Sequence, residues 1–407
     1  MNRDRIHFLL LNIGHFMDHL FTLVFATVAA LALTREWGLP YAALLSYATP
    51  GFLAFGLFSL PAGWLADKWN REGMMVVFFT GIGAASIATG LAATPLQVGI
   101  GLFVIGMFAA IYHPVGLAIV TARWKNTGMR IAVNGVFGNL GVASAALLTG
   151  FLIDHGGWRS AFVVPGVVSI GLGAAYAALR WPEVSAPRAT TAASQATSAA
   201  PLSPDYRALM RRLSVIVFAT TALTGVVFQA TTFSLPKIFD ERLRGIAESL
   251  AGSTERGHVA GMIGMFAFAV FTIASMAQLV VGKMLDRYGP RPVFMTLAVV
   301  QIVFFAAMPG LTNYWALAIA LGFMLGAFGQ IPINDYMIGR MASGAFRARV
   351  YGVRYVVSFT VLAAALPLVA VVYGNWGFDT LFRMLAIVAG GTLAVTACLP
   401  RRLPVAA

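Results

Sequence analysis

Charge is scarce in this sequence, and the scarcity decides the class of protein. Of 407 residues, 11% are charged and 59% hydrophobic, with a mean hydropathy of +0.81. A water-soluble domain carries about 25% charged residues. Too little polar surface remains to coat a globule of this length, so the apolar surface must face lipid. Cysteine is nearly absent: Cys398 stands alone, which excludes an intramolecular disulfide. A cleavable leader is not visible either. Arg3 and Arg5 open an apolar run that is long and contains His15, Asp18 and His19, unlike the short, clean core of a signal peptide, so it is read as a first span. No phosphate loop of the G-x-x-x-x-G-K-[ST] type occurs, which argues against an ATP-driven pump. Nor is there a G-x-S-x-G nucleophile turn, and the chain is not expected to be an enzyme.

The net charge of +13 could suggest nucleic acid, but its distribution argues otherwise. Only four of the 28 basic residues are Lys, and most of the set falls in short gaps between apolar segments. That distribution sets membrane topology and does not form a binding face, so no nucleic-acid partner is expected.

Apolar stretches of roughly 20 residues cross a bilayer core of about 30 Å. Twelve are expected, at 6–33, 41–66, 74–93, 96–122, 131–153, 159–181, 212–236, 259–285, 292–309, 313–339, 349–373 and 377–399. With both termini in the cytoplasm, 20 basic residues lie inside and about six outside, with Arg354 and Arg383 within spans; the positive-inside rule therefore fixes the orientation. An Ala/Ser/Thr/Pro-rich stretch follows the sixth span and reads as a flexible linker. The expected division is an N-terminal bundle at 1–181, a cytoplasmic linker at 182–211 and a C-terminal bundle at 212–407. The loop 237–258 carries a candidate short amphipathic helix, or a solvated connector.

The halves repeat. Gly63-Trp-Leu-Ala-Asp67-Lys68-Trp-Asn70-Arg71 returns as Gly282-Lys-Met-Leu-Asp286-Arg287-Tyr-Gly289-Pro-Arg291, 219 residues later. Trp158 is echoed by Trp376, and Pro114 by Pro332, each at an offset of 218. Repeated halves are common in secondary transporters, with the substrate site near the midplane between them.

These residues resemble the major facilitator superfamily, over the whole chain. The family's loop between its second and third spans reads G-x-L-A-D-R/K-x-G-R/K-R/K; Gly63, Leu65, Ala66, Asp67, Lys68 and Arg71 match it, while Asn70 replaces the second glycine. In the second copy Gly282, Asp286, Arg287, Gly289 and Arg291 match. The resemblance implies twelve helices in two six-helix bundles and alternating access, with these two loops latching and releasing the halves. A structural and topological role for the two aspartates is the alternative. Within the superfamily, His15-Phe16-Met17-Asp18 and Tyr112-His113-Pro114 look most like the fosmidomycin-resistance-like branch of drug exporters, though the first pattern is shortened by one residue. The Gly-rich fifth-span motif of antiporters is echoed by Gly135, Gly138 and Gly141, with Asn139 where a proline would stand.

Ionisable residues inside spans are functional candidates, because a charge at mid-membrane costs about 2.5–3.5 kcal/mol on insertion scales. His15, Asp18 and His19 fall at i, i+3 and i+4 and share one face of the first helix. The resemblance places the first, fourth, seventh and tenth helices around a central cavity. Asp18 is the candidate proton carrier, tuned by His15 and His113, with Asp335 and Arg354 as a second coupled pair. The alternative is that both pairs only pin helices together. His15, Asp18, Tyr112, His113, Asn139, Gln229 and Asn334 are the candidate solute ligands, and Asn134 and Gln330 further amides. Phe21, Phe25, Phe137, Phe228 and Phe233 are candidates for an apolar wall. Gating falls to Gly63, Asp67, Lys68, Arg71, Gly282, Asp286, Arg287 and Arg291.

The function expected is a proton-coupled transporter of a small organic solute, of the exporting, drug/proton antiport type. It needs no cofactor beyond the proton gradient, and is expected to be a monomer in a bacterial inner membrane. The alternative is a carrier of a transition metal or its chelate through His15, Asp18, His19 and His113.

Overall fold

The computed structural model describes residues 2–124, 127–185, 204–251, 258–341 and 344–400. Ten helices in it are long and apolar enough to cross a membrane. Spans 1 to 4 are Arg3–Glu36, Tyr41–Lys68, Arg71–Gly90 and Pro95–Arg123. Spans 5 and 6 form one helical run, Thr127–Ser185, that turns back at Gly157 (φ 72°). Spans 7 to 10 are Pro204–Arg242, Val259–Tyr288, Pro290–Ala307 and Asn313–Met341. Spans 11 and 12 are a second run, Gly344–Ala397, that turns back at Gly377 (φ 74°). Both glycines hold a left-handed backbone that disfavours a side chain, and they sit at corresponding places in the two halves.

Helices are the outcome lipid enforces, since every backbone N–H and C=O must find a partner within its own segment. Exposed Val167, Val303 and Ile387 form part of the apolar outer surface. Helix enters the expected linker 182–211 from both sides. Span 6 continues to Ser185 and span 7 begins at Pro204, so only 186–203 lies outside the described residues. The loop after span 7 contains a helix, Arg244–Ala251, with Ile246 and Ala247 buried; residues 252–257 lie outside the description.

Pro114 breaks span 4 into Pro95–Ala109 and Tyr112–Arg123. Its ring clashes with the carbonyl four residues earlier, at Ala110, and it has no N–H to donate. Ile111 N–H falls back onto Phe108 O at 3.1 Å. The break lies immediately before Tyr112 and His113.

The two copies of the repeated loop turn by different means. Gly289 has φ 78°, which favours glycine. Asn70, at the matching position, has φ −161° and caps span 3, accepting from the N–H groups of Glu72 (2.8 Å) and Gly73 (3.1 Å). Its amide also donates to Glu183 O at the end of span 6. The glycine missing from the first copy is thus replaced by a capping side chain.

The halves meet at the end away from the chain termini. There Gly150 closes on Ala260 and Gly264 on Ala146, backbone to backbone. Asp154 accepts from Gly261 N–H at 2.6 Å, and Tyr41 donates to Phe233 O at 3.5 Å. Arg35 lies 3.7 Å from Asp240, a carboxylate that Lys237 (3.0 Å) and Arg244 also bind. Toward the terminal end, span 2 exposes Leu57, Leu60 and Trp64, and span 8 exposes Leu279 and Val280.

Candidate functional site

Span 1 crosses the N-terminal half with an unusually polar inner face: His7, Asn12, His15 and Asp18 are all buried. Two close approaches seat it. Gly141 of span 5 lies against the Phe16 carbonyl, where even a methyl group would come within 2.3 Å. Gly138, one turn earlier, leaves the space that the His15 ring fills. The glycine stripe read as an antiporter echo therefore has a packing role.

Asp18 is fully buried, and its Oδ2 lies 3.3 Å from His113 Nδ1 on span 4. The distance is within ion-pair range, yet the angles do not make a good hydrogen bond, and both Asp18 oxygens lack one among the described residues. His15 Nδ1 is 2.8 Å from Asn134 O, and its Nε2 is buried without a partner. The His15 ring stacks on Tyr112 (centroids 4.9 Å apart, 17° between planes) and meets His113 edge-on. Tyr112 donates to Leu11 O at 2.7 Å, and Asn134 Nδ2 donates to Tyr112 Oη (2.8 Å) and Asn12 Oδ1 (2.9 Å). His19, half-buried, lies beside both His15 and His113.

The cluster borders a tight crevice with about 20 Å³ of free space, lined by Phe21, Thr22, Phe25, Phe52, Phe55 and Phe233 with residues of spans 2 and 4. Phe55 links the two, lining the cavity and meeting His113 edge-on at 5.8 Å. Apolar walls beside a few convergent polar groups are the usual lining of a small-molecule site, at larger volumes of roughly 300–1,000 Å³.

Other expected residues lie elsewhere. Gln229 is buried one turn from Phe233 on span 7. Asn334 is buried but accepts from Thr220 at 2.9 Å, which ties span 10 to span 7. Asn139 is half-buried, and no described contact brings it to the histidines. Asp335 does pair with Arg354, but its side chain is 49% exposed, about 100° around the helix from Asn334. Gln330 bonds Gln301 at 2.9 Å. Phe228 packs on Phe328 outside the cavity lining, which also lacks Phe137.

In the repeated loop, Asp67 binds Arg71 at 2.9 Å within its own motif, both well exposed, and Lys68 lies over the Trp64 ring. Arg287 lies over Tyr288. Gly63 touches Pro114, whereas Gly282 has open space around it. Asp286 is exposed, and Arg291 half-exposed in the first turn of span 9.

A second polar cluster escaped sequence reasoning. Glu72, at the start of span 3, accepts from Tyr176 and lies 3.2 Å from both His7 Nε2 and Arg180. Arg180 also binds Glu183 at 2.8 Å. The signal available was that His7 and Arg180 stand within apolar runs.

With this geometry in view, comparison with known proteins defines the class. The Major Facilitator Superfamily model matches residues 11–254 and 245–406, and the chain belongs to that superfamily. It is a multi-pass membrane transporter, not an enzyme. Among relatives, the gallate transporter of Pseudomonas putida is 25% identical over 145 residues, 35% of this chain and 32% of that protein. The puromycin resistance protein of Streptomyces alboniger is 29% identical over 146 residues, 35% of this chain and 29% of that protein. The chain thus matches about a third of the length of these relatives. A solved peptide transporter superposes with a TM-score of 0.72 at 14% identity, covering 98% of this chain and 97% of that one. A D-xylose–proton symporter gives 0.71 at 13%, covering 97% of each. At such identities the likeness concerns the fold alone.

Proposed function

We propose that the chain is a proton-coupled exporter of a small organic solute, working by alternating access, with the proton carried by the Asp18–His113 pair. The observation behind this reading is a fully buried carboxylate 3.3 Å from an imidazole at the edge of an aromatic cavity. An uncompensated charge there is costly, so the pair holds either a shared proton or a solute group that replaces it. Solute and proton then compete for one carboxylate, and that competition is antiport. His15 and Tyr112 shape the polar end of the cavity, and Phe21, Phe25, Phe52, Phe55 and Phe233 receive the apolar part of the solute. Gln229 contributes an amide from the other half. Asn139, Asn334 and the Asp335–Arg354 pair act, on this reading, when the halves rock.

Export is supported by the resistance proteins among the relatives, and on this reading the His15–Asp18 and Tyr112–Pro114 patterns favour the fosmidomycin-resistance-like branch. Both termini lie in the cytoplasm of a bacterial inner membrane, following the distribution of basic residues. The two bundles, joined through the stretch after span 6, rock as units, while the loops at Asp67–Arg71 and Asp286–Arg291 latch when the terminal end closes.

Everted vesicles carrying a proton gradient, followed with a ΔpH-sensitive dye, test the proposal against a panel of phosphonates, lipophilic cations and organic anions. A panel member should collapse the gradient in wild type and leave it intact in Asp18→Asn. Solute-driven proton release that persists in Asp18→Asn removes Asp18 from the mechanism.

A further inference from the structure

Three imidazoles converge where one carrier carboxylate would suffice. His15 and His19 come from successive turns of span 1 and His113 from the break in span 4. One ring nitrogen of each lies within 4.8 Å of the others. An i, i+4 histidine pair on one helix face is a recurrent metal-binding arrangement.

The surroundings of the rings match what a metal requires. A ligating histidine commonly gives its second ring nitrogen to a carbonyl or carboxylate, which fixes the tautomer and aims the free nitrogen. His15 Nδ1 sits 2.8 Å from the Asn134 carbonyl, leaving Nε2 buried and without a partner. His113 Nδ1 lies 3.3 Å from the Asp18 carboxylate, within ion-pair range but out of hydrogen-bond alignment, so a small adjustment on binding would pair them and give Nε2 to the ligand. His15, 8% exposed, is further fixed by stacking on Tyr112 and by the space at Gly138.

From these contacts we infer that His15, His19 and His113 form a binding site for a divalent transition-metal ion of zinc's class, with Asp18 orienting His113. Three imidazoles suit zinc and its borderline neighbours and do not suit magnesium or calcium, which take oxygen ligands. At zinc–nitrogen bonds of about 2.0–2.1 Å, tetrahedral ligand atoms stand about 3.4 Å apart, so the widest pair closes by roughly 1.4 Å on binding. The inference deepens the proposed transport site: it rests on the same cluster being open to ligand, and it adds a second class of occupant.

The test is a titration of the purified full chain in detergent, with Zn²⁺ by calorimetry and Co²⁺ by its visible ligand-field absorption, against Mg²⁺. Wild type should bind one Zn²⁺ per chain, give the intense absorption of tetrahedral Co²⁺, and ignore Mg²⁺. His19→Gln should abolish the Co²⁺ band, and Asp18→Asn should weaken Zn²⁺ binding about 10–100-fold, as loss of an orienting carboxylate does elsewhere. His19 is half-buried and its loss disturbs the fold least; elution on size exclusion confirms folding, and His113→Gln serves as a second variant. Absence of the Co²⁺ band in wild type, or an unchanged band in folded His19→Gln and His113→Gln, overturns the inference. No solute and no gradient enter this titration. Its failure therefore leaves proton coupling standing, and failure of the vesicle assay leaves a measured metal affinity in place.

Discussion

Three glycines spaced three residues apart on span 5 predict a graded response to one added methyl group. At Gly135 a Cβ meets nothing within 4 Å, so Gly135→Ala should match wild type or gain slightly. At Gly138 the new atom comes 2.7 Å from Cε1 and Nε2 of His15. Ordinary contact begins near 3.4 Å, so the ring has to retreat by roughly 0.7 Å. Its 2.8 Å bond to Asn134 then stretches beyond normal hydrogen-bond range. At Gly141 the obstacle is backbone, the Phe16 carbonyl oxygen at 2.3 Å. No side-chain rotation relieves that contact, and spans 1 and 5 must part by about 1 Å, an overpacking cost of about 1–3 kcal/mol. Melting in detergent, followed by the monodisperse fraction on size exclusion, should therefore rank Gly135→Ala above Gly138→Ala above Gly141→Ala. Transport per folded molecule should fall sharply at Gly138→Ala, because the perturbed ring belongs to the site. If Gly141→Ala melts with Gly135→Ala, or Gly138→Ala transports at the wild-type rate, the close approach of these helices is refuted.

Other expectations follow from the polar contacts. Glu72→Gln, which strips a carboxylate from buried Arg180 and His7, should cost about 3 kcal/mol, the low end for a broken buried pair because Glu183 still holds Arg180; a melt as small in effect as that of exposed Asp67→Asn would count against it. Asn70→Ala should lose about 1 kcal/mol through the vacated cap of span 3, whereas Asn70→Gly loses a few tenths; equal melts for the two would dismiss the cap. Asp240→Asn removes the carboxylate on which Lys237, Arg244 and Arg35 converge. In a Cys398→Ser background, a cysteine placed at exposed Leu57 should then label more slowly, since a weakened far end lets the terminal end close; unchanged labelling would refute that coupling.

Much of the architecture was legible because lipid leaves the chain few options. Long apolar runs with basic gaps gave the spans without any packing argument, and the repeat at 219 residues paired the halves. His15, Asp18 and His19 stood out because charge inside a span is costly. That Asp18 faces His113 depends on helices 1 and 4 lying side by side, which spacing along one helix does not specify; the family resemblance supplied it. Glu72, His7 and Arg180 were passed over because charge near span ends has an ordinary topological explanation. Asn70 looked like a departure from a motif, and only its backbone angles and two N–H partners reveal a cap. Span 7 reaches back to Pro204 through residues whose composition reads as linker.

The turn at Gly157 has a mechanical consequence. A single residue joins spans 5 and 6, with no slack between them. Span 5 carries the backbone-tight seam against span 8, while span 6 grips span 3 through Ser86 and Ser169, whose hydroxyls reach the Phe162 and Phe79 carbonyls. A tilt imposed at the seam is therefore delivered to the back of the bundle as a lever stroke, with nothing in between to absorb it.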